Sequence, residues 1–144
     1  MATSNRAALK TLQSNLQALG YFKRVIIPDT KTPPDTMTAA LFTRRLRVPE
    51  NTLSNPRLKW TVNIRLYART IDGREEDVEF ALDEAVGEII DDICGKFTLG
   101  GNVAYLLPSE LEAEWGWLEL GGVWFRIVDI PVSYTIDDRA AFVP

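Results

Sequence analysis

The 144-residue chain has no histidine, and Cys94 is its only cysteine. The lack of histidine removes the commonest general base, the usual metal ligand and the Ser–His and Cys–His nucleophile pairs. A single cysteine cannot form an internal disulfide, which is typical of a protein kept in a reducing compartment. The composition therefore argues against an enzyme. We expect no catalytic residues, no metal and no cofactor.

Long apolar runs are also absent. No run approaches the ~18 residues that would indicate a membrane span. The N-terminus lacks the apolar stretch of a secretory signal peptide, so we expect no membrane partner. The length fits one domain, and contents of 46% hydrophobic and 25% charged residues are ordinary for a globular protein.

Charge of opposite sign is concentrated in opposite halves of the chain. Residues 1–72 carry 12 Lys and Arg against 4 Asp and Glu, whereas residues 73–144 carry 4 against 16. The halves are therefore +8 and −12, which gives the overall net charge of −4. A sequence pI near 4.9 argues against a general nucleic-acid binder, but the basic half can still form a local patch.

The clearest periodicity predicts a long strand over residues 57–70. Its apolar residues, from Leu58 to Ala68, fall on one parity, and its polar and basic residues, from Arg57 to Arg69, fall on the other. Successive side chains of a strand point to opposite faces, so one face is predicted to be apolar and the other basic and solvated. At ~3.3 Å per residue the strand spans roughly 45 Å, which is longer than a compact core needs.

The rest of the pattern predicts two amphipathic helices and several shorter strands. The helices cover residues 4–19, capped by Ser4, and residues 72–95, capped by Asp72. The strands cover residues 21–27, 39–48, 103–107, 115–120 and a stretch from residue 123 onward. Gly121-Gly122 joins the last two strands as a tight hairpin, because both glycines tolerate positive φ.

Two local features of the strands carry further predictions. In the strand at 39–48, Phe42 and Leu46 fall on one parity and Arg45 and Arg47 on the other. In the last strand the apolar parity switches after Asp129. A β-bulge accounts for that switch, and Pro131 suggests that the strand lies at an edge of the sheet.

The predicted fold class is α+β, as a single domain over residues 1–136. It has a mostly antiparallel twisted sheet, two helices packed on one face, a long central strand and a C-terminal hairpin or meander. The Pro- and Thr-rich segment 28–38 is predicted to be a mobile arm, and residues 137–144 a loose C-terminal tail.

Two charged surfaces are the candidate sites. Each is either a solvated face or a contact with a neighbouring copy of the chain. Phe80 and Ile90 lie off the main apolar stripe of the second helix and are either covered by loops or part of the same contact. The basic surface comprises Arg45, Arg47, Lys59, Arg65 and Arg69, and the acidic helix surface comprises Glu79, Asp83, Glu84, Glu88 and Asp91.

Two other groups of residues attract attention. For the tryptophans near the Gly-Gly hairpin, core or sheet-face packing is the expectation for Trp115 and Trp124, and a partner contact is the minority interpretation for Trp117. The segment 28–38 is a candidate docking arm for other proteins. The residues assigned to this arm are Thr30, Lys31, Thr32, Pro33, Pro34 and Asp35.

The layout as a whole resembles the tail terminator (tail completion) proteins of long-tailed bacteriophages. The likeness lies in the leucine-striped first helix, the Pro/Thr-rich arm, the extended strand ending at Asp72-Gly73, the acidic helix and the run WGWLELGGVWFRIVDIPV at 115–132. It covers most of the chain in architecture and size, and no site residue is carried over from it.

The resemblance implies a structural virion protein of the tail or neck, assembled in the host cytoplasm. Six subunits would form a ring that caps the tail tube, stops its elongation and joins the tail to the head. Its partners would be the major tail tube protein and the head–tail connector or neck proteins. DNA would pass through the lumen of the ring without sequence-specific binding.

Three alternatives stay open. Another ring component of the neck, such as a head-closure or head–tail connector protein, would share most of these features. A carboxylate-dependent hydrolase needs two convergent carboxylates in a cleft, one of them with a raised pKa. A protein-binding module for a cellular partner is the third.

Overall fold

The structure is a computed structural model that describes residues 5–30, 34, 36–47, 57–70, 75–96 and 105–137. Two α-helices, six strands and one 3₁₀ turn make up this part of the chain. Their order is α1 (Arg6–Leu19), β1 (Arg24–Ile26), β2 (Thr38–Arg47), β3 (Arg57–Arg69), α2 (Glu75–Gly95), β4 (Tyr105–Leu106), the 3₁₀ turn (Pro108–Glu110), β5 (Glu114–Leu120) and β6 (Val123–Asp137).

All six strands belong to one sheet, in the order β1-β2-β3-β6-β4, and β5 also pairs with β6. Every pairing is antiparallel except that of β1 with β2, which is parallel. β3 is the central strand, since β2 lies on one side of it and β6 pairs with its whole length on the other. The predicted α+β class with a long central strand is therefore confirmed.

Both helices pack on one side of the sheet, which we call the helix face. The apolar positions of β3 and β6, from Val62 to Leu66 and from Val128 to Tyr134, meet Leu12 and Leu16 of α1 and the buried stripe of α2 there. Burying large aliphatic side chains contributes ~1.5–3 kcal/mol each, so this layer holds the fold together. The buried residues of α2 are Leu82, Ala85, Val86, Ile89 and Ile93, as its helical spacing predicts.

The ends of α1 correct one expectation and confirm another. Gly20 stops the helix with φ of 81°, a left-handed conformation that glycine adopts without strain. The N-cap residue is Asn5, and its side chain makes no cap hydrogen bond. Instead it donates to Thr43 Oγ1 at 3.0 Å and to Tyr134 Oη at 3.4 Å, so it ties the start of α1 to the sheet. Ser4 lies outside the described residues, as does Asp72 before α2.

The opposite side of the sheet, which we call the far face, carries a second and smaller core. Tyr67 and Phe125 are 1% and 0% exposed and meet edge to face, with ring centroids 6.1 Å apart. Ala40 and Ile127 complete the buried cluster. The prediction that the polar parity of β3 is solvated throughout is therefore wrong at Tyr67, because side chains of the neighbouring strands β2 and β6 pack around it on the far face.

The same cluster explains the parity switch in β6. The register of β3 with β6 is continuous from Arg57 opposite Asp137 to Arg69 opposite Phe125, so the predicted bulge near Asp129 is absent. The apolar residues of β6 instead lie on the far face at the start of the strand and on the helix face in the rest of it. Phe125 and Ile127 fill the far-face core, and from Val128 onward the even-numbered residues fill the core under the helices.

The interior position of β6 also corrects the prediction drawn from Pro131. β6 pairs with β3 on one side, and on the other side it pairs with β5 up to Asp129 and with β4 at Tyr134 and Thr135. Pro131 lies in the gap between β5 and β4. A proline fits there because it has no N–H to leave unpaired.

A bulge does occur, but in β2. The register with β3 shifts between Thr43 and Arg45, so Arg44 is an extra residue with no partner. Before the bulge Phe42 pairs with Asn63 on the far face, whereas after it Leu46 pairs with Trp60 on the helix face. Phe42 and Leu46 therefore lie on opposite faces, contrary to the parity prediction.

The two glycines of the β5–β6 hairpin behave as predicted. Gly121 and Gly122 have φ of 57° and 81°, the combination that a type I′ turn requires at both central positions. Within the described ranges, neither α1 nor α2 is long and apolar enough to cross a membrane.

The far-face core gives a test of the fold. Replacing Phe125 with Ala removes a fully buried ring and leaves a cavity beside Tyr67, so we expect a loss of ~3–5 kcal/mol in unfolding free energy by urea denaturation. Phe80→Ala is the matched control. Its ring is 61% exposed, and we expect a change within ~0.5 kcal/mol. Equal losses in the two variants would show that the far face has no core of its own.

Candidate subunit-contact surfaces

The five basic residues singled out in the sequence share the far face of the sheet. The register pairs Arg45 with Thr61 and Arg47 with Lys59, and it places these positions on the same parity of β3 as Arg65 and Arg69. Cross-strand partners share a face, so the sheet brings the basic residues together on the side away from both helices.

Two of the five are neutralised within the chain. Arg65 forms a two-pronged contact with Asp129, with Nε to Oδ1 at 2.7 Å and Nη2 to Oδ2 at 3.1 Å, and it reaches Asp29 at 3.4 Å. Lys59 pairs with Glu110 at 2.6 Å. These ion pairs lie within the subunit. The charges of Arg65 and Lys59 therefore no longer support their predicted role in a subunit contact.

The ion pair of Arg65 belongs to a polar network on the far face. Asn63, only 2% exposed, donates to Asp129 Oδ1 at 3.0 Å, and the Tyr67 hydroxyl donates to Asp29 Oδ1 at 2.5 Å. The hydrogen bonds to Asp129 raise the pKa of Arg65, and burial together with the bond to Asp29 raises the pKa of Tyr67. Both side chains therefore keep their protons, and the network holds residue 29 against the sheet. The Arg65 guanidinium also lies 5.6 Å from the centre of the Phe42 ring.

The other three basic residues remain exposed. Arg45, Arg47 and Arg69 form no ion pair with any described residue. The basic surface available to a partner is therefore smaller than predicted, and it lies at the two ends of the sheet.

The acidic residues of α2 lie on the other side of the molecule. The buried stripe of α2 faces the sheet, and Asp83, Glu84, Glu88 and Asp91 are exposed. Glu84 accepts a hydrogen bond from the Tyr21 hydroxyl at 3.1 Å. Desolvation raises the pKa of Tyr21, and this hydrogen bond raises it further. Glu88 and Asp91 line a shallow depression next to the Lys96–Asp92 pair.

Glu79 has an internal partner, as Arg65 does. Arg126 of β6 forks onto both of its carboxylate oxygens at 3.0 Å each. These bonds lower the pKa of Glu79 and raise that of Arg126. The guanidinium of Arg126 also lies over Trp117, 4.9 Å from the ring centre. Glu79 is therefore held by the sheet under it.

The two apolar candidates on α2 differ in exposure. Ile90 is partly buried and packs against the main core, whereas Phe80 is 61% exposed and free for contact. Of the six residues assigned to the docking arm, the structure describes two. Thr30 is bonded through its N–H to Asp29 Oδ1 at 2.9 Å, and Pro34 is buried. Lys31, Thr32, Pro33 and Asp35 lie outside the described residues, so the docking role of the arm stays a prediction.

The largest surface feature that sequence reasoning missed is aromatic. Trp115, Trp117 and Trp124 are 37%, 55% and 53% exposed, so core packing is wrong for Trp115 and Trp124, whereas sheet-face packing, the other form expected for them, fits their positions on β5 and β6. They extend past the area that the helices cover. The signal available in the sequence was the spacing Trp-Gly-Trp in the predicted strand 115–120, because residues two apart on a strand lie on the same face.

One cleft lies on the far face, with a volume of about 330 Å³. Arg44, Glu112, Glu114 and Asp129 line it, so its walls carry charges of both signs. Asp129 already accepts hydrogen bonds from Arg65 and Asn63. Among the described residues, no group of three or more Cys, Asp or Glu side chains is placed to hold a metal ion.

Comparisons of the sequence with models of known protein families and with curated proteins found no match. What the chain does is therefore inferred from its own surfaces.

The far-face network should contribute measurably to stability. Asp129→Asn removes the charge that Arg65 and Asn63 share, and we expect a loss of ~1–2 kcal/mol in unfolding free energy, because hydrogen bonds to charged groups are the stronger class. Glu110→Gln is the control, since the Lys59–Glu110 pair is more exposed and exposed pairs contribute at most ~1 kcal/mol. An Asp129→Asn variant no less stable than the control would contradict the assignment.

The Glu79–Arg126 pair predicts a dependence of stability on pH. The folded-state pKa of Glu79 lies below its ordinary value of 4.5, so the contribution is present above pH 4.5 and is lost as the pH falls through the folded value. Because Glu79 is 40% exposed, we expect only ~0.5–1 kcal/mol at pH 7. Urea denaturation of Glu79→Gln and the parent should differ at pH 7 and converge near pH 3. A difference that persists at pH 3 would rule out the charge pair as its cause.

Proposed function

We propose that this chain is the subunit of a ring-forming structural protein of a virion, of the tail terminator type. The ring caps the tail tube, stops its elongation and joins the tail to the neck of the head. The protein works by contact with copies of itself and with its neighbours, and makes or breaks no covalent bond. Its partners are the tail tube protein and the connector or neck proteins, and DNA passes through the ring.

The observation that carries the proposal is the placement of opposite charges on opposite sides of one sheet. The acidic side chains of α2 point away from the helix face, whereas Arg45, Arg47 and Arg69 stand on the far face. The sheet lies between the two groups, so they cannot neutralise each other inside one subunit. They can meet between subunits.

Contacts of this kind have a defined symmetry. When two different surfaces of the same chain meet, the contact is heterologous, and its repetition either closes into a ring or continues as a filament. A ring is the form that a cap on a tube requires. The resemblance described above adds the tube and the neck as the surfaces on which such a ring would act.

The internal ion pairs sharpen the proposal. Arg65, Lys59 and Glu79 are held by Asp129, Glu110 and Arg126, so they stabilise the subunit. The charge left for the contact resides mainly in Arg45, Arg47 and Arg69 on one side and in Glu88 and Asp91 on the other.

Native mass spectrometry and analytical ultracentrifugation test the ring. We expect a discrete oligomer at about 50 mM salt that dissociates as salt approaches 1 M, because exposed charges further apart than ~3 Å are screened there. Glu88→Lys with Asp91→Lys should weaken assembly by about tenfold or more, since like charges then face each other. Gln17→Lys is the control, since it adds positive charge at an exposed position of α1 outside both charged surfaces, and it should assemble like the parent. A monomer at every concentration and salt would refute the ring.

Electron microscopy with purified tail tubes tests the cap. We expect the oligomer at one end of the tube, and tubes grown in its presence should stop elongating. Gold-labelled subunits found only on the head side of the neck would instead favour a head-closure or connector ring. An oligomer indifferent to tubes and necks would favour a cellular binding module.

A further inference from the structure

The β5–β6 hairpin presents three tryptophans on one surface. The register pairs Trp115 with Val128 and Trp117 with Arg126, and it pairs Trp124 with Glu119. All three indoles therefore lie on the helix face, beyond the area that α2 covers, and each is more than a third exposed. We call this surface, formed by Trp115, Trp117 and Trp124, the tryptophan face.

The tryptophan face has the chemistry of a guanidinium receptor. Arg126 already stacks on Trp117 at 4.9 Å, and both oxygens of Glu79 neutralise its charge. Glu119 lies on the same face opposite Trp124. Indole rings bordered by carboxylates suit a guanidinium, which stacks on aromatic faces and pairs with carboxylates.

The complementary surface is the end of β2. Arg44, Arg45 and Arg47 are exposed and form no ion pair with any described residue, and Leu46 between them is 49% exposed. β1 pairs with β2 only over residues 38–40, so in the described part of the chain the outer edge of β2 has no partner from residue 41 onward. We call residues 44–47 the arginine end.

The two surfaces lie at diagonally opposite corners of one sheet. Arg47 pairs with Lys59, which pairs with Thr135 of β6, whereas Trp117 pairs with Arg126 of the same strand. Nine residues of β6 separate these positions, or roughly 30 Å along the strand, and three strand spacings add roughly 14 Å across the sheet. The arginine end of a subunit therefore cannot reach its own tryptophan face.

We propose that the arginine end of one copy docks on the tryptophan face of the next copy, with the guanidinium groups of Arg45 and Arg47 over the indoles. The contact is head to tail, because the two surfaces occupy different corners of the same chain. This inference rests on the proposed ring and refines its contact, because it assigns Arg45 and Arg47 to the tryptophan face and leaves Arg69 as the far-face cation available to Glu88 and Asp91. The bulge at Arg44 and the charges around it disfavour strand-to-strand pairing at this edge, and side-chain docking does not need such pairing.

Matched substitutions at Trp124 separate stacking from simple apolar burial. Trp124→Leu should weaken subunit association about tenfold, whereas Trp124→Phe, which keeps an aromatic face, should stay within about threefold of the parent. On the other side, Arg45→Glu with Arg47→Glu should weaken association about a hundredfold, and Arg24→Glu, an exposed arginine of β1, should not. Circular dichroism and thermal unfolding of each monomer confirm that the variants fold.

A photo-cross-linker at position 124 identifies the occupant. Trp124→p-benzoylphenylalanine in the assembled protein should cross-link to a peptide containing residues 44–47 of another copy. A ring that forms normally, yet cross-links position 124 elsewhere or tolerates both Trp124→Leu and the double arginine reversal, would overturn this contact and leave the proposed ring standing. A parent protein that never assembles would refute the ring itself. A cross-link only to a basic segment of a tube or neck protein would also overturn the self-contact.

Discussion

The pairing of β3 with β6 is the constraint on which the rest of the structure depends. Thirteen residues of β3 face thirteen of β6 without a break in register. A slip of one residue would turn every side chain of a strand to the wrong face, so the two cores fix the register together. The helix face requires Val62, Ile64 and Leu66 on one parity, and the far face requires Tyr67 with Phe125 on the other.

Most of the fold follows from periodicity, whereas the exceptions arise where a partner strand decides burial. The helices, the central strand and the glycine hairpin each have a local signal, and the structure agrees with them. Tyr67 was predicted to be solvated because alternation within β3 carries no information about the side chains of β2 and β6 that pack around it. The bulge of β2 was missed for a similar reason, since an extra residue is defined only against the strand that it pairs with.

For the candidate surfaces, too, the sequence predicts what depends on local pattern and misses what depends on distant partners. The five basic residues share one face, but parity alone did not determine this, because the bulge at Arg44 turns Arg45 and Arg47 to the far face where Arg69 also stands. Sequence reasoning could not see that Arg65, Lys59 and Glu79 have partners far along the chain, since the contact of Arg65 with Asp129 joins residues 64 apart. Exposure of the tryptophans was equally hidden, because it depends on how far α2 extends over β5.

The extra residue at Arg44 has a consequence for how this surface changes. Because it shifts the alternation of β2, a single position in the backbone decides on which side of the sheet two arginines and a leucine stand. Loss of Arg44 would remove the bulge and leave Arg45, Leu46 and Arg47 on their present sides, because each would keep its partner on β3 in an unbroken ladder. Straightening the bulge with every residue retained would instead turn the two arginines to the helix face and Leu46 to the far face. The side on which each group stands therefore depends on the bulge and not on the identity of the residues.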